Sequence, residues 1–189
     1  MGDPKKQRKK YATPRFPWRT DIMQGELKLI GEYGLRNKHE LWRHETLLSK
    51  FRGIARTLIG ETPEERKKME NELLVKLKKL GVLEETAVLD DVLDLTIEDV
   101  LERRFQTIVL RKGLAKTMQQ SRQLINHGHM MIGNRRVTTP GYIVPRPEEG
   151  QISYTTKSSL ANPAHPLRQT LSVSPAAEPK QARPRSEEE

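Results

Sequence analysis

Arg103, Arg104, Arg111, Lys112, Lys116 and Arg122 recur through one short stretch of the chain, and Arg135 and Arg136 follow a Gly-Asn pair. Guanidinium groups grip phosphate oxygens in pairs and ammonium groups act as point charges, so this set suits a polyanion whose backbone is tracked with limited base reading. A second cationic run opens the sequence: Lys5, Lys6, Arg8, Lys9 and Lys10, then Arg15 and Arg19 interleaved with Tyr11, Phe16 and Trp18. Rings among cations either stack on unpaired bases or dock on a neighbouring domain. Catalytic patterns are missing. His127 and His129 have no Cys or nearby carboxylate to complete a tetrahedral metal site, and read as helix-terminal contacts with nucleic acid or solvent. Gly25, Gly31 and Gly34 do not follow a strand, so they form no phosphate loop. Acid pairs such as Glu84-Glu85 and Asp90-Asp91 lie in a polar connection, where both would stay ionised rather than share acid-base work.

Charge by segment sharpens the point. The 189 residues carry 34 Lys plus Arg and 25 Asp plus Glu, a net +9. Residues 1–20 hold +6, 21–60 hold +2, 61–100 hold −6, 101–150 hold +6 and the remainder +1. Clustered excess of this kind makes binding surfaces, whereas an even spread makes only solubility. Hydrophobic residues are 34 % of the chain, too few for one large core and enough for two small ones. The absence of Cys excludes disulfides and thiolate-bound zinc, and fits a reducing cytoplasm. No apolar run approaches the roughly 18 residues of a membrane span, and the start lacks the apolar segment of a secretory signal.

The elements that must position these residues follow from periodicity. Residues 1–20 hold three prolines and no period, and read as an extended arm. Over 21–100 an all-helical domain is expected. Its first helix carries Ile22, Leu27 and Ile30 up to Gly34, and its second is capped by Asn37 and carries Leu41, Leu47, Leu48, Phe51, Ile54, Ala55 and Leu58 up to Gly60. The third has Thr62 and Glu65 as a capping box around Pro63, and a stripe of Met69, Leu73, Leu77 and Leu80. His39, Trp42 and His44 sit on the second helix, with Trp42 read as core. A module over 101–157 follows: a helix capped by Thr96 and Asp99 running to Gly113, then a helix boxed by Thr117 and Gln120 and stopped at Gly128. Next comes a hairpin turning at Gly133-Asn134, with further strands at Tyr142–Val144 and Gln151–Tyr154. Residues 158–189 are read as a largely flexible extension whose last 20 to 25 residues stay disordered. The fold class is therefore α+β, a helical domain plus a helix-helix-sheet module with extended ends. None of Arg111, Lys116 and Arg122 falls on an apolar stripe, so their joint replacement is expected to weaken binding without unfolding the module.

The segment SRQLINHGHMMIGNRRVTTPGYIVPRPEEGQISY, residues 121–154, resembles the S-four RNA-binding module, and Leu101 to Phe105 with Gly113 to Ala115 match that module's first helix and link. GDPKKQRKKY, Pro17-Trp18 and YGLRNKHELWR over 33–43 further resemble the archaeal and eukaryotic form of the small-subunit ribosomal protein S-four family, over about 160 residues. The resemblance implies a non-enzymatic constituent of the small subunit that binds its ribosomal RNA as a primary binder and nucleates assembly of the subunit body. It further implies an influence on translational accuracy together with the neighbouring proteins S-five and S-twelve. No cofactor, metal, membrane or small-molecule substrate is expected. Carried over by position, the RNA-facing set is Arg104, Arg111, Lys116, Ser121, Arg122, His127, His129, Arg135 and Arg136. The family's usual Asn-Gly turn is Gly133-Asn134 here, and the Cys cluster of some bacterial members, with its zinc, is absent. The rivals are an RNA-modifying enzyme that docks through the module and a DNA regulator of helix-turn-helix type. The strand-rich continuation after Gly128 argues against the second.

Overall fold

The computed structural model describes residues 8–60, 63–162 and 164–168. Helix α1 spans Thr20–Glu32, α2 Lys38–Ile59, α3 Pro63–Leu80, α4 Asp91–Asp94 and α5 Ile97–Glu102. Then come α6 Phe105–Arg111, α7 Met118–Asn126, β1 Met130–Ile132, β2 Arg135–Arg136, α8 Arg146–Glu149, β3 Ile152–Tyr154 and a 3-10 turn at Ser159–Ala161. The expected α+β class holds, with β1 central in an antiparallel sheet of order β2-β1-β3.

Helix starts and stops follow local chemistry. The Asn37 side chain accepts from Glu40 N at 3.1 Å and starts α2, and Asp99 Oδ2 accepts from Thr96 N at 2.8 Å and starts α5. Thr117 accepts from Gln120 N at 3.1 Å, but the Gln120 side chain reaches Lys116 N instead of Thr117 N, so that box is displaced by one residue. The box expected at Thr62 lies outside the described residues. Gly133 has φ +57° and Asn134 has negative φ, the sign pattern of a II′ turn, which pairs Ile132 with Arg135.

The helical layer is built on α2, which packs against α1, α3, α4 and α5. Leu48, Phe51, Ala55, Leu58, Leu73, Leu77, Leu89, Val92 and Val100 form one core. Four stripe residues face solvent instead: Ile22, Leu27, Ile54 and Met69 are exposed, because α1 turns Glu26, Leu29, Ile30 and Tyr33 inward and the partners of α2 and α3 lie on their other faces. A second core joins Phe105, Ile108, Val109, Leu124, Ile125, Met130, Ile132, Val144 and Ile152. Leu160 belongs to it as well, so the module's packing runs past residue 157 into the extension. Residues 169–189 lie outside the described residues, as does their expected disorder.

Two expectations are corrected here. The helix expected from Thr96 to Gly113 is broken into α5 and α6 at Arg103-Arg104, where Arg104 takes extended φ/ψ of −69° and 141°. The break follows from pairing: Arg104 bridges Ile143, Arg103 O accepts from Val144 N at 3.0 Å, and Tyr142 O accepts from Phe105 N at 2.7 Å. Tyr142–Val144, expected as a strand, therefore forms a single bridge rather than a place in the sheet. The Pro145–Gly150 turn contains the short helix α8.

The break places the Arg104 side chain in the seam between helical layer and module, 1 % exposed. There Glu40 of α2 accepts from Arg104 Nη2 at 3.1 Å through Oε2 and from Arg122 of α7 at 3.0 and 2.7 Å through both oxygens. One carboxylate thus holds two cations from two elements of the module. Burial raises the Glu40 pKa, but the Arg122 hydrogen bonds and the fields of both guanidiniums outweigh it and leave it lowered. His44, one turn further along α2, is buried with its Nδ1 unpartnered. Burial, reinforced by Arg104 and Arg43, lowers its pKa to about 4.

Two outcomes are expected. Glu40→Ala leaves Arg104 buried without its counter-charge and should cost about 3 to 5 kcal/mol in denaturant unfolding; a loss below about 1 kcal/mol would contradict this account of the seam. Glu40 stabilises the fold above its ordinary pKa of 4.5, and that contribution fades as pH falls through its lowered value. For His44 the unfolded chain takes up a proton between pH 6.5 and about 4 that the folded chain refuses, so stability should drop across that window by up to about 3 kcal/mol. Thermal unfolding of His44→Leu should show a flatter pH response there.

Candidate nucleic-acid interface

The module's cations divide into those consumed by the fold and those left outside it. Arg104, expected at the surface, is buried on Glu40, and Ser121, also expected there, is fully buried with its hydroxyl donating to Gln106 O at 2.7 Å. Both are corrected to internal roles. Arg111 grips Glu102 with a two-pronged fork, Nε to Oε2 at 3.1 Å and Nη2 to Oε1 at 2.7 Å. The same carboxylate accepts from the Tyr33 hydroxyl at 3.1 Å. Arg103 donates to Leu80 O and Val144 O, both at 3.0 Å, and pairs with Glu149 at 2.9 Å. Lys112 donates to Glu149 O. The triple replacement of Arg111, Lys116 and Arg122 therefore removes two structural forks along with one free charge, which corrects the expectation that it spares the fold.

Sequence periodicity misses this division because it registers apolar stripes and is silent on polar seams. The one available signal is Glu102, the sole acid from residue 101 to residue 147. An isolated carboxylate among many cations is a natural structural anchor.

The exposed cations gather around the two ends of α7. At its start, Lys116 is exposed and the first-turn amides of Met118 and Gln119 lie at the positive end of the helix. The Gly34 turn abuts this end. Gln106 Nε2 ties the two together, donating to Gly34 O at 3.1 Å and Met118 O at 2.9 Å, and a Cβ on Gly34 would meet Met118 Cβ at 2.7 Å. Close approach, together with φ +56°, is why this position is glycine. Two residues past the turn Arg36 is exposed, and Arg43 follows on the exposed face of α2. Neither arginine was singled out by sequence.

At the far end, about 13 Å along a nine-residue helix, Gly128 carries the Arg136 guanidinium against it. Exposed His127 and half-buried His129 stand beside it, ring centroids 6.3 Å apart. Exposed Arg135 leans over the Tyr142 ring at 5.6 Å, within 4.0 Å of Glu148. Thus Lys116, His127, His129, Arg135 and Arg136 form a rim of exposed or half-buried groups about the ends of α7 and the hairpin turn, Arg36 and Arg43 add exposed charge on the helical layer, and Arg103, Arg104, Arg111, Ser121 and Arg122 are held by partners within the fold.

The arm splits as well. Tyr11 packs on His39 and Trp42 with centroids at 4.7 and 6.0 Å, Ala12 N donates to Thr46 Oγ1 at 2.9 Å, and buried Trp42 donates to Glu26 at 2.7 Å. Phe16 and Trp18 are exposed, Trp18 at 86 %, with Arg15 over Phe16. Arg8, Lys9, Lys10, Arg15 and Arg19 are exposed around them. Lys5 and Lys6 lie outside the described residues.

Among the described residues no group of His, Asp and Glu is arranged to hold a metal, and no helix is long and apolar enough to cross a membrane. Residues 103–149 match the S4 domain family. The chain is 53 % identical over 161 residues to the small ribosomal subunit protein uS4 of Hyperthermus butylicus, covering 85 % of this chain and 92 % of that one. It is 52 % identical to the uS4 proteins of Ignicoccus hospitalis, over 84 % of this chain and 95 % of that one, and of Saccharolobus solfataricus, over 85 % and 89 %. A helical layer clasped to an S4 domain, with similarity of this depth over both, makes the chain a member of the uS4 family of small ribosomal subunit proteins.

Proposed function

We propose that the chain is a structural constituent of the small ribosomal subunit that binds its ribosomal RNA, and that it is not an enzyme. The observation that carries this reading is similarity above 50 % to proteins named for that subunit, along nearly the whole of their length. The rim supports it physically. Lys116, Arg136, Arg36 and Arg43 offer exposed charge outside the ion pairs of a scaffold already stiffened by them, and Arg135 is only weakly held by Glu148, so few side chains must be ordered on binding. Shape and phosphate recognition dominate, since the deep major groove of an RNA helix resists reading by side chains. Exposed Phe16 and Trp18, with Arg15 and Arg19, give the arm a second contact that suits unpaired bases.

In the same reading the protein is a primary binder that nucleates the subunit body, sits beside the neighbouring proteins S-five and S-twelve, and works in the cytoplasm. Crosslinking within purified subunits tests these finer roles.

Binding of the full chain to small-subunit ribosomal RNA should weaken steeply with salt. Lys116→Ala and Arg136→Ala should each lower the slope of log K against log salt by about 0.7 to 0.9, the loss of one phosphate contact, with thermal unfolding unchanged. Arg111→Ala should do the reverse, lowering the unfolding temperature and leaving the slope nearly intact. A flat salt response, or equal affinity for duplex DNA, would overturn the reading. So would stoichiometric modification of the RNA, which would make the chain an enzyme.

A further inference from the structure

The chain beyond β3 does not leave the module. Ser158 caps the 3-10 turn through its Oγ, which accepts from Leu160 N at 3.1 Å, and Leu160 enters the module core. Arg168 then returns over the Tyr154 ring at 5.0 Å and donates to Ala161 O at 3.2 Å. This return closes a recess of about 290 Å³ against the far end of α7. Three imidazoles line it, His127 and His129 from the helix end and His165 from the returning segment, with Gln123 beside them and Leu124 and Leu160 as its apolar floor. No carboxylate lines it.

Hydrogen bonds orient two of the imidazoles. The Ser158 hydroxyl shares a hydrogen bond with His129 Nδ1 at 2.9 Å while its oxygen accepts from the Leu160 amide. His165 Nδ1 accepts from Leu167 N at 3.3 Å. With Nδ1 accepting, the proton of a neutral His165 ring sits on Nε2 as a donor. The recess thus combines flat π faces, an imidazole N–H donor and an adaptable amide over an apolar floor, at the small end of ligand sites, which start at roughly 300 Å³. Arg136 packs against Gly128, which lies between the lining His127 and His129, and Arg168 follows the lining Leu167 in the chain, so each is a cation next to lining residues. An unpaired base has the matching chemistry: an apolar face that stacks on imidazole, and ring nitrogens and carbonyls that accept.

We propose that this recess is a subsite for a single unpaired nucleobase, held by the imidazoles of His127, His129 and His165 and by Gln123, and completed by the C-terminal segment. The inference rests on the RNA-binding reading and adds to phosphate tracking one place where a base is gripped. It gives residues 158–162 and 164–168 a role in the site, where the sequence suggests only a tail.

The test uses the full chain and complete small-subunit ribosomal RNA, with reagents that modify exposed base edges. The unsubstituted protein should protect one unpaired nucleotide that regains reactivity in the complex with Gln123→Ala/His165→Ala. Affinity should fall about tenfold, the loss expected of one stacked base, with the salt slope unchanged because no phosphate contact is removed. Gln123→Ala alone should give part of both effects, and Ala on an exposed helix face favours folding, so a weakened signal there is not a folding defect. Matching protection and affinity for both variants and the unsubstituted chain would overturn the subsite and leave the RNA-binding reading standing. A loss accompanied by a drop in salt slope would make these residues phosphate contacts and likewise overturn it. Failure of the unsubstituted chain to bind the RNA at all would overturn both.

Discussion

One carboxylate with two guanidiniums governs the arrangement of this molecule. Glu40 sits on a helix of the first layer and its partners on two elements of the module, so the pairing fixes the orientation of one unit on the other. The geometry is demanding, since Arg104 is taken out of water and its Nε and Nη1 find no further acceptor. A buried charge so placed is tolerable only while its counter-charge stays in register, and this penalises every displaced docking of the two layers. The break between α5 and α6 is what lets Arg104 reach the seam. A continuous helix would have carried that side chain round with its neighbours.

The fork of Arg111 on Glu102 repeats the device on a smaller scale, as does Arg103, which spans α3, the Val144 strand segment and α8. Several of the module's arginines therefore serve as internal ties. What remains outside is a thinner set of charges, and those are the ones a polyanion meets. Net charge overstates the contact surface for this reason: the +6 of residues 101–150 counts fixed ties and free rim together.

Much of this was legible in the sequence, and the parts that were not share a cause. Asn37, Thr96 and Thr117 mark helix starts through chemistry local to a few residues, and the Gly133-Asn134 turn does the same for the hairpin, so those elements were readable. The broken helix was not, because Phe105, Ile108 and Val109 continue the spacing of Val100 and Leu101 and the interruption comes from backbone pairing with residues about 40 positions away. Arg104 and Ser121 looked like surface residues because polarity is a one-residue property, whereas burial depends on whether a partner waits in the fold. Arg36 escaped notice since the closeness of Gly34 to Met118 is a tertiary fact. Leu160, lone and apolar in a polar stretch, was the legible hint that the chain beyond residue 157 still packs.

The Glu40–Arg122 contact has a temporal side. The two residues are 82 positions apart, so as the chain is made from its N-terminus, α2 emerges carrying a carboxylate whose strongest partner has yet to be synthesised. The helical layer can collapse on its own leucines in the meantime, but its module-facing side must stay open to water until α7 follows. Completion of the seam is thus a late event in the birth of the molecule, and the rim of free cations takes its final spacing only after the acid that organises it has been claimed.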